Sequence, residues 1–504
     1  MKLNYKRTIL VGFAFFLISA FWQAYDAIVP LILTNHFGLP QTVSGAVMSI
    51  DNILAVFMLP VFGALSDKVM TKFGKRTPFI FIGTIAAVVA FISLILIDGY
   101  QLKAVLDAGI AERFQIEAAL LDEAKEALRE AGKSGDAAAI AAANATIESI
   151  NKSIEAIRVD TLDIVLSNIW PLIAFIGVLL LVLISMATFR SPAVALMPDV
   201  TVKPLRSKAN AIINLMGTAG GILVLVLGMI FKTSANKYMN YIGYVIAVVA
   251  IMLTGLCVFL LTVKERKWAE EMEETTRALG LEETSADVKA VSETEAPQRK
   301  LTKPELTSLM LILASVALWY IGYNSITSKY SVYATNILYF DFNFTLIIAQ
   351  AAAVIAYIPV GIVASKLGRR KTILAGIIML AAAFFIGNFI SFSTPEFIMY
   401  PVFVLAGIGW ATINVNSFPM VVELAKGGEV GKYTGYYYTA SMAAQIVAPI
   451  LSGLLYDLFG MRLMFFAFGT LFVALSFVTM FFVKHGDAKP EAQGALESLG
   501  GADD

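Results

Sequence analysis

Residues 63–78 read G-A-L-S-D-K-V-M-T-K-F-G-K-R-T-P and lie between two long apolar runs. The stretch carries five charged residues: Asp67, Lys68, Lys72, Lys75 and Arg76. A charge at the bilayer centre costs roughly 2.5–3.5 kcal/mol even on a lenient insertion scale, so this stretch is predicted to be a short polar loop at a membrane face. Because basic loops between spans stay in the cytoplasm, its four cations place it on the cytoplasmic side.

The composition indicates a polytopic membrane protein. Of the 504 residues, 58% are hydrophobic and only 15% are charged, whereas a soluble chain carries about 25% charged residues. One cysteine, Cys257, and two histidines supply neither a disulfide framework nor a metal site. No nucleotide-binding motif is present either. We therefore expect a lipid bilayer as the surroundings, no metal, no cofactor and no nucleic-acid partner, and we expect that the chain is not an enzyme.

Twelve apolar runs of about 20 residues each have the length of a membrane-spanning helix. They predict an all-α protein with twelve transmembrane helices in two six-helix bundles. The runs lie near residues 8–33, 41–66, 78–97, 170–190, 209–231, 241–263, 309–333, 344–366, 372–391, 398–422, 433–456 and 462–483.

The short loops predict the orientation. Four cations within residues 366–371 fall on the same side as the first basic loop, whereas residues 35–40 and 393–396 contain no Lys or Arg. The positive-inside rule then places both termini in the cytoplasm, in the cell (inner) membrane.

Two insertions interrupt this pattern. The first is rich in Ala, Glu and Lys and is broken at Gly132–Asp136, which predicts a helical hairpin outside the membrane. The second is charged and is predicted to be a cytoplasmic linker. The expected units are an N-terminal bundle (1–263, including the external insertion 98–168), a linker (264–308), a C-terminal bundle (309–484) and a disordered tail (485–504).

The two halves also repeat. Pro60-Val-Phe-Gly63 is echoed by Pro359-Val-Gly361, and in each half a basic loop follows. The stretch Pro192–Asp199 is echoed by Phe418–Glu423. Such internal repetition is typical of secondary transporters, in which the substrate binds between the repeats near the midplane.

Several short motifs resemble one known superfamily. They are Gly38-Leu-Pro40, Gly63-Ala-Leu-Ser-Asp67, Phe73-Gly-Lys-Arg76, Pro78-Phe-Ile80, and Pro192-Ala193 with Ala195-Leu196 and Asp199. With these motifs the chain resembles the major facilitator superfamily over essentially all spans. More narrowly, it resembles the proton-coupled glycoside symporters, namely plant sucrose carriers, their animal relatives and bacterial glycoside–pentoside–hexuronide symporters. The resemblance implies the major facilitator fold, a sugar substrate and a monomer.

The chain departs from each branch of that group in the position of its membrane acids. The plant carriers have an acidic residue in the fourth helix, where this chain has about Leu183. The animal relatives have a glutamate in the first helix, and Asp26 falls at that place. The melibiose-type bacterial symporters carry acids in the second helix, and Asp51 resembles those. The resemblance therefore leaves open which acid carries the proton.

Asp26 and Asp51 are the candidates for cation coupling. Each lies in a strongly apolar span with no Lys or Arg within one turn, roughly 10–15 Å from the external end. Both are therefore expected to reach one cavity. Removal from water favours the neutral form of a carboxyl group, and a second acid nearby favours it further. Such a group can load a proton on one side and release it on the other. The alternatives are a protonated acid that is hydrogen-bonded to the backbone, or a residue that only forms part of the cavity wall.

The candidate substrate contacts combine aromatic rings, which suit the C–H face of a sugar, with amides, which suit its hydroxyl groups. They are Trp22, Gln23, Tyr320, Tyr323, Asn324, Trp410, Asn414 and Gln445. The alternative is structural, because aromatic residues also form interfacial belts and membrane amides also hold helices together.

Seven charged residues are candidates for conformational gating. Arg190, at the predicted end of the fourth span, has two possible roles: a donor to substrate hydroxyls, or a cytoplasmic anchor paired with Asp199. In the related fold, cytoplasmic ion pairs hold the outward-open state and break when the bundles rock. The resemblance extends that role to Asp67, Arg76, Asp199, Arg369, Arg370 and Glu423; a plain topology signal is the alternative.

The sequence thus predicts a secondary transporter that imports a di- or oligosaccharide, of maltose or sucrose type, with H⁺. Three alternatives stay open: sodium-coupled glycoside symport, efflux of small molecules, and a sugar sensor that no longer transports. A second carboxylate near Asp51 would suit Na⁺, and Asp26 is available for it.

Overall fold

The computed structural model describes residues 3–278, 302–392, 394–424 and 430–486. These residues form sixteen α-helices, which we number in chain order. They are α1 (Tyr5–Leu31), α2 (Gln41–Lys68), α3 (Thr77–Asp107), α4 (Ile110–Ser134), α5 (Ala137–Ser167), α6 (Trp170–Val200), α7 (Arg206–Ile230), α8 (Ile242–Thr262), α9 (Glu265–Ala278), α10 (Lys303–Thr327), α11 (Tyr330–Tyr333), α12 (Phe342–Leu367), α13 (Arg369–Gly387), α14 (Met399–Val422), α15 (Val430–Phe459) and α16 (Met461–Phe481).

Twelve of the described helices are long and apolar enough to cross a membrane. They are α1–α3, α6–α8, α10 and α12–α16. The predicted all-α fold with twelve spans is therefore confirmed. The helix that contains the fourth span does not end at Arg190, near which the span was predicted to end: α6 continues to Val200. Likewise α3 runs on to Asp107, ten residues beyond the predicted end at 97.

The first insertion forms a helical hairpin, α4–α5, with its turn at Gly135. That glycine has φ +69°, a left-handed conformation that side chains disfavour. Asp136 then caps α5 by accepting hydrogen bonds from the backbone N–H groups of Ala138 (2.9 Å) and Ala139 (3.2 Å). We call the end of the bundle that carries this hairpin the hairpin end. The end with the two basic loops is the linker end.

The two halves meet along α2 and α15 and along α7 and α12. Gly45 of α2 lies so close to α15 that a Cβ atom there would be 2.1 Å from the carbonyl oxygen of Pro449. A side chain is therefore excluded at this crossing, as in other close contacts between membrane helices. The contact lies near the start of α2, and residues one to two turns further along α2 line a central space together with Gln445 and Pro449 of α15.

The segment predicted as a linker begins with a packed helix. Glu265, the first residue of α9, is 3% exposed, and its carboxylate accepts hydrogen bonds from the backbone N–H groups of Lys75, Arg76 and Thr77. It thereby caps the start of α3, where negative charge is favourable. The rest of the predicted linker up to residue 301, and the predicted tail from residue 487, lie outside the described residues.

Candidate transport site

A cavity of about 210 Å³ lies between the two halves, near the middle of the spanning helices. Helices α1, α2 and α6 of the first half and α10 and α15 of the second half supply its walls. Six predicted site residues line it: Trp22, Asp26, Asp51, Arg190, Asn324 and Gln445. The structure thus brings together residues that are more than 400 positions apart in the chain.

The two candidate coupling acids share this cavity. The Asp26 side chain is exposed to it, although the neighbouring residues Tyr25 and Ala27 are buried. Asp51 is half-buried, and one of its carboxylate oxygens accepts a hydrogen bond of 2.8 Å from the side-chain amide of Asn52. A proton taken up by either carboxyl group is therefore bound in the cavity itself.

Arg190 belongs to the cavity rather than to the linker end. Its guanidinium carbon lies 5.8 Å from the ring centroid of Trp22, which is within the range of a cation–π contact. Asp199, its expected partner, instead accepts a hydrogen bond of 2.7 Å from Arg76. Of the two predicted roles for Arg190, the geometry therefore favours the cavity role. It places one cation beside two acids in the central space.

Trp22 supplies a free donor to the site. Its ring is half-buried, and its indole N–H has no hydrogen-bond partner among the described residues. Indole N–H groups are usually paired when buried. A hydroxyl group of a bound ligand is a suitable acceptor for it.

Gln23 lies beside the cavity and joins the two halves. Its side-chain oxygen accepts a hydrogen bond of 2.6 Å from the amide of Gln350 on α12. Gln350 was not predicted as a site residue, although a lone glutamine within the apolar run of α12 could have indicated it. Asn52, Thr327 and Ser328 also line the cavity and were missed, because each is a polar residue in a span with no motif around it.

Three predicted aromatic residues form a cluster on α10 and α14. The rings of Tyr323 and Trp410 stack with centroids 3.6 Å apart and planes 4° apart, and Tyr320 meets Trp410 edge-on at 5.4 Å. Asn324, which follows Tyr323, lines the cavity and donates to the backbone oxygen of Tyr320 at 2.9 Å. Asn414 is half-buried one turn beyond Trp410 and is not among the cavity-lining residues. The cluster therefore flanks the cavity through Asn324.

The charged residues predicted as gates form ion pairs within each half at the linker end. Arg76 bonds to Asp67 at 2.5 Å and to Asp199 at 2.7 Å, which ties α2, α3 and α6 together. In the second half, Arg369 lies 3.7 Å from Glu423. Arg370 donates to the backbone oxygen of Phe481. Each of these contacts fixes helices inside one bundle.

At the hairpin end, polar contacts join the two halves. Asp457 of α15 accepts hydrogen bonds from the backbone N–H groups of Gln41 (2.8 Å) and Thr42 (2.7 Å), at the start of α2. Lys329, fully buried, donates to the Ser44 hydroxyl at 2.7 Å. These contacts close the central cavity toward the hairpin end, although the sequence reasoning did not single out Asp457.

Two family models match the chain, one in each half. The model described as "MFS/sugar transport protein" matches residues 10–98, and the model described as "Major Facilitator Superfamily" matches residues 333–500. A relative among curated proteins is the MFS-type transporter ppzB of Metarhizium rileyi, 30% identical over 114 residues. That match covers 23% of this chain and 23% of the relative, so it spans about a quarter of either protein.

Solved structures share the fold at low sequence identity. The inward-open xylose transporter XylE from E. coli has a TM-score of 0.56 at 15% identity, and the alignment covers 98% of this chain and 99% of that chain. A POT-type peptide transporter bound to sulfate has a TM-score of 0.60 at 11% identity, covering 94% and 93%. These matches are to transporters, and the expectation that the chain is not an enzyme is confirmed.

Proposed function

We propose that this chain, which belongs to the major facilitator superfamily, imports a di- or oligosaccharide of maltose or sucrose type together with protons. One observation carries the proposal: two carboxyl groups and one arginine share a cavity with a tryptophan and three amides, between the halves of the fold. The sugar-transport description of the model that matches residues 10–98 supports the substrate class.

Proton coupling follows from the chemistry of the cavity. Asp26 is exposed to the cavity and takes up a proton there, which removes a negative charge from the space between the halves. The cost of carrying a charge across the apolar interior then falls, because a neutral carboxyl group is far easier to bury. Asp51, near the same space, is the second carrier. Binding of the proton and the sugar together favours the change from the outward-facing to the inward-facing state.

Sugar recognition uses the groups around these acids. The indole N–H of Trp22, the guanidinium of Arg190 and the amides of Asn324 and Gln445 offer donors and acceptors to hydroxyl groups. The cavity of about 210 Å³ is smaller than the roughly 300 Å³ at which drug-sized pockets begin. We assign one sugar ring to it and a second ring to the side of the Trp410 cluster.

The positive-inside rule gives the orientation of the proposal. It places the linker end and both termini in the cytoplasm and the hairpin end outside, in the cell membrane. The Asp457 and Lys329 contacts then lie on the external side of the cavity. The ion pairs of Arg76 and Arg369 stiffen each bundle so that it moves as a unit. The transporter is proposed to work as a monomer.

Sodium coupling is the alternative that a specific observation favours. Two carboxylates on one cavity, with the Asn52 side chain beside them, supply the oxygen-rich surroundings that hard cations prefer. No contact among the described residues specifically favours efflux or sugar sensing.

The experiment that tests the function is uptake into proteoliposomes, driven separately by a pH gradient and by a sodium gradient. Maltose, sucrose, melibiose and glucose are the labelled substrates. We expect accumulation of one disaccharide under an inward proton gradient and none under sodium alone. Accumulation that depends on the sodium gradient and not on the pH gradient would indicate sodium symport instead. Binding of a sugar without any flux would indicate a sensor, and absence of both would overturn the glycoside assignment.

A further inference from the structure

A second cavity lies beneath the α4–α5 hairpin, on the hairpin side of the contacts that close the central cavity. Its volume is about 680 Å³, against about 210 Å³ for the central one. Ligand pockets span roughly 300–1,000 Å³, so this space can hold a molecule of two or three sugar rings. Its walls come from three sources, namely the hairpin, the first half and the second half. We call it the hairpin chamber.

Aromatic rings and side-chain amides dominate the chemistry of the hairpin chamber. The rings belong to Phe114, Tyr238, Tyr339, Phe392 and Tyr456. The amides belong to Asn35, Gln41, Asn151 and Asn336. Rings offer an apolar surface to the C–H face of a sugar, and amides both donate and accept hydrogen bonds. Rings and amides thus occur together in the wall of the chamber, as Trp22 and three amides do in the central cavity.

Three of these amides have unused hydrogen-bonding capacity. The Asn336 amide donates to the side-chain oxygen of Asn35 at 2.8 Å, across the two halves. The Asn35 nitrogen, the Asn336 oxygen and the Gln41 oxygen are buried with no partner among the described residues. Leaving such a group unpaired costs about 1–3 kcal/mol. Hydroxyl groups of a ligand, which donate and accept at once, can pair with one donor and two acceptors of this kind.

The charged residues of the hairpin chamber are largely engaged by the protein. Glu155 and Arg158 form an ion pair of 2.5 Å, and Arg462 donates to the Tyr333 hydroxyl at 3.1 Å. Asp457 is bonded to the start of α2. The Lys237 ammonium lies 4.6 Å from the ring centroid of Phe114. Apart from Lys237, the groups left for a ligand are therefore neutral donors, neutral acceptors and rings, which favour a hydroxyl-rich molecule.

We propose that the hairpin chamber is a second saccharide site, which holds a di- or oligosaccharide on the hairpin side of the closed contacts. The class of its ligand rests on the proposed function. A sugar in the chamber contacts Asn35 and Asn336, one on each half, and is separated from the central cavity by the contact of Lys329 with Ser44. The two sites are therefore filled independently in this state.

The test is the number of sugar molecules bound per chain at equilibrium. The full-length protein in lipid nanodiscs is titrated with tritiated maltose, sucrose and melibiose. Asn151→Trp places a large ring in the chamber, whereas Asn144→Trp, two turns earlier on α5 and not among the chamber-lining residues, is the matched control. Trp22→Ala removes a wall of the central cavity.

We expect two molecules of one disaccharide per chain in the wild type and in Asn144→Trp, and one in Asn151→Trp and in Trp22→Ala. If Asn151→Trp does not fold, Asn151→Ala is expected to weaken one of the two sites about tenfold. One molecule per chain in the wild type, unchanged by either Asn151 variant, would overturn the second site and leave the proposed function standing. No binding of any of the three sugars would overturn both.

Discussion

Replacing Asp457 by alanine is expected to open the hairpin end of the molecule. The carboxylate accepts three hydrogen bonds from the other half: 2.8 Å from the Gln41 N–H, 2.7 Å from the Thr42 N–H and 2.6 Å from the Thr42 hydroxyl. The first backbone N–H groups of a helix have no partner within it. Pro40, the residue before α2, provides no side-chain cap. Asp457 is therefore the cap of α2, and it comes from the opposite bundle.

The size of the effect follows from these contacts. Loss of an N-cap costs about 0.5–2 kcal/mol, and hydrogen bonds to a charged group contribute about 1.5–3 kcal/mol each when buried. Because Asp457 is exposed and Thr42 is half-buried, water replaces part of the interaction. We therefore expect a total of about 1–2 kcal/mol, which changes the ratio of closed to open molecules about 5- to 30-fold.

Double electron–electron resonance, which measures the distance between two spin labels, detects this shift from closed to open molecules. Ser167 at the end of α5 and Leu458 at the end of α15 are exposed on opposite halves at the hairpin end, so both accept labels. The single cysteine, Cys257, is exposed and is first replaced by serine. In the Asp457→Ala protein the longer distance gains population at the expense of the shorter one.

A matched control separates this effect from a general loss of surface charge. Asp107 is an exposed aspartate at the hairpin-side end of α3, and Asp107→Ala is expected to leave the distances unchanged. Asp457→Asn, which keeps an acceptor oxygen and loses the charge, is expected to fall between the wild type and Asp457→Ala. If Asp457→Ala and Asp107→Ala give the same distribution as the wild type, the reasoning about the cross-bundle cap is refuted.

Two further predictions concern the linker end and the aromatic cluster. Glu265→Ala removes the cap of α3 and is expected to destabilise the fold by about 2–4 kcal/mol, measured as a lower unfolding temperature in detergent. The control is Glu270→Ala, which replaces an exposed glutamate of the same helix. Equal unfolding temperatures for the two variants would contradict the capping role of Glu265. Trp410→Ala removes the ring stacked on Tyr323, a contact of about 0.5–1.5 kcal/mol, and should raise the KM for sugar uptake up to about tenfold. An unchanged KM, equal to that of the control Trp170→Ala (73% exposed in the wild type), would remove the cluster from the site.

The sequence predicts most of the fold because each spanning helix is a local property. A run of about 20 apolar residues identifies a span without reference to any other part of the chain. Boundaries are harder: α6 passes Arg190 and reaches Val200, because the charge of Arg190 lies on the central cavity and does not have to face lipid.

The candidate site could be predicted in part. Asp26 and Asp51 are lone acids in apolar runs, and that pattern is visible in the sequence. Glu265 and Asp457, in contrast, look like ordinary charges near helix ends. Their roles depend on which distant helix begins beside them. Contacts of this kind belong to one conformational state, and local sequence does not encode them.

The measurement that tests the central claim most directly is sugar-evoked proton movement in proteoliposomes containing the wild type, Asp26→Asn or Asp51→Asn. Asparagine at position 26 mimics the neutral carboxyl group. We therefore expect that Asp26→Asn loses at least about 90% of the external alkalinisation that follows addition of the transported disaccharide, while exchange of that sugar across the membrane continues. Full proton movement in Asp26→Asn, with its loss confined to Asp51→Asn, would contradict the assignment of the coupling proton to Asp26.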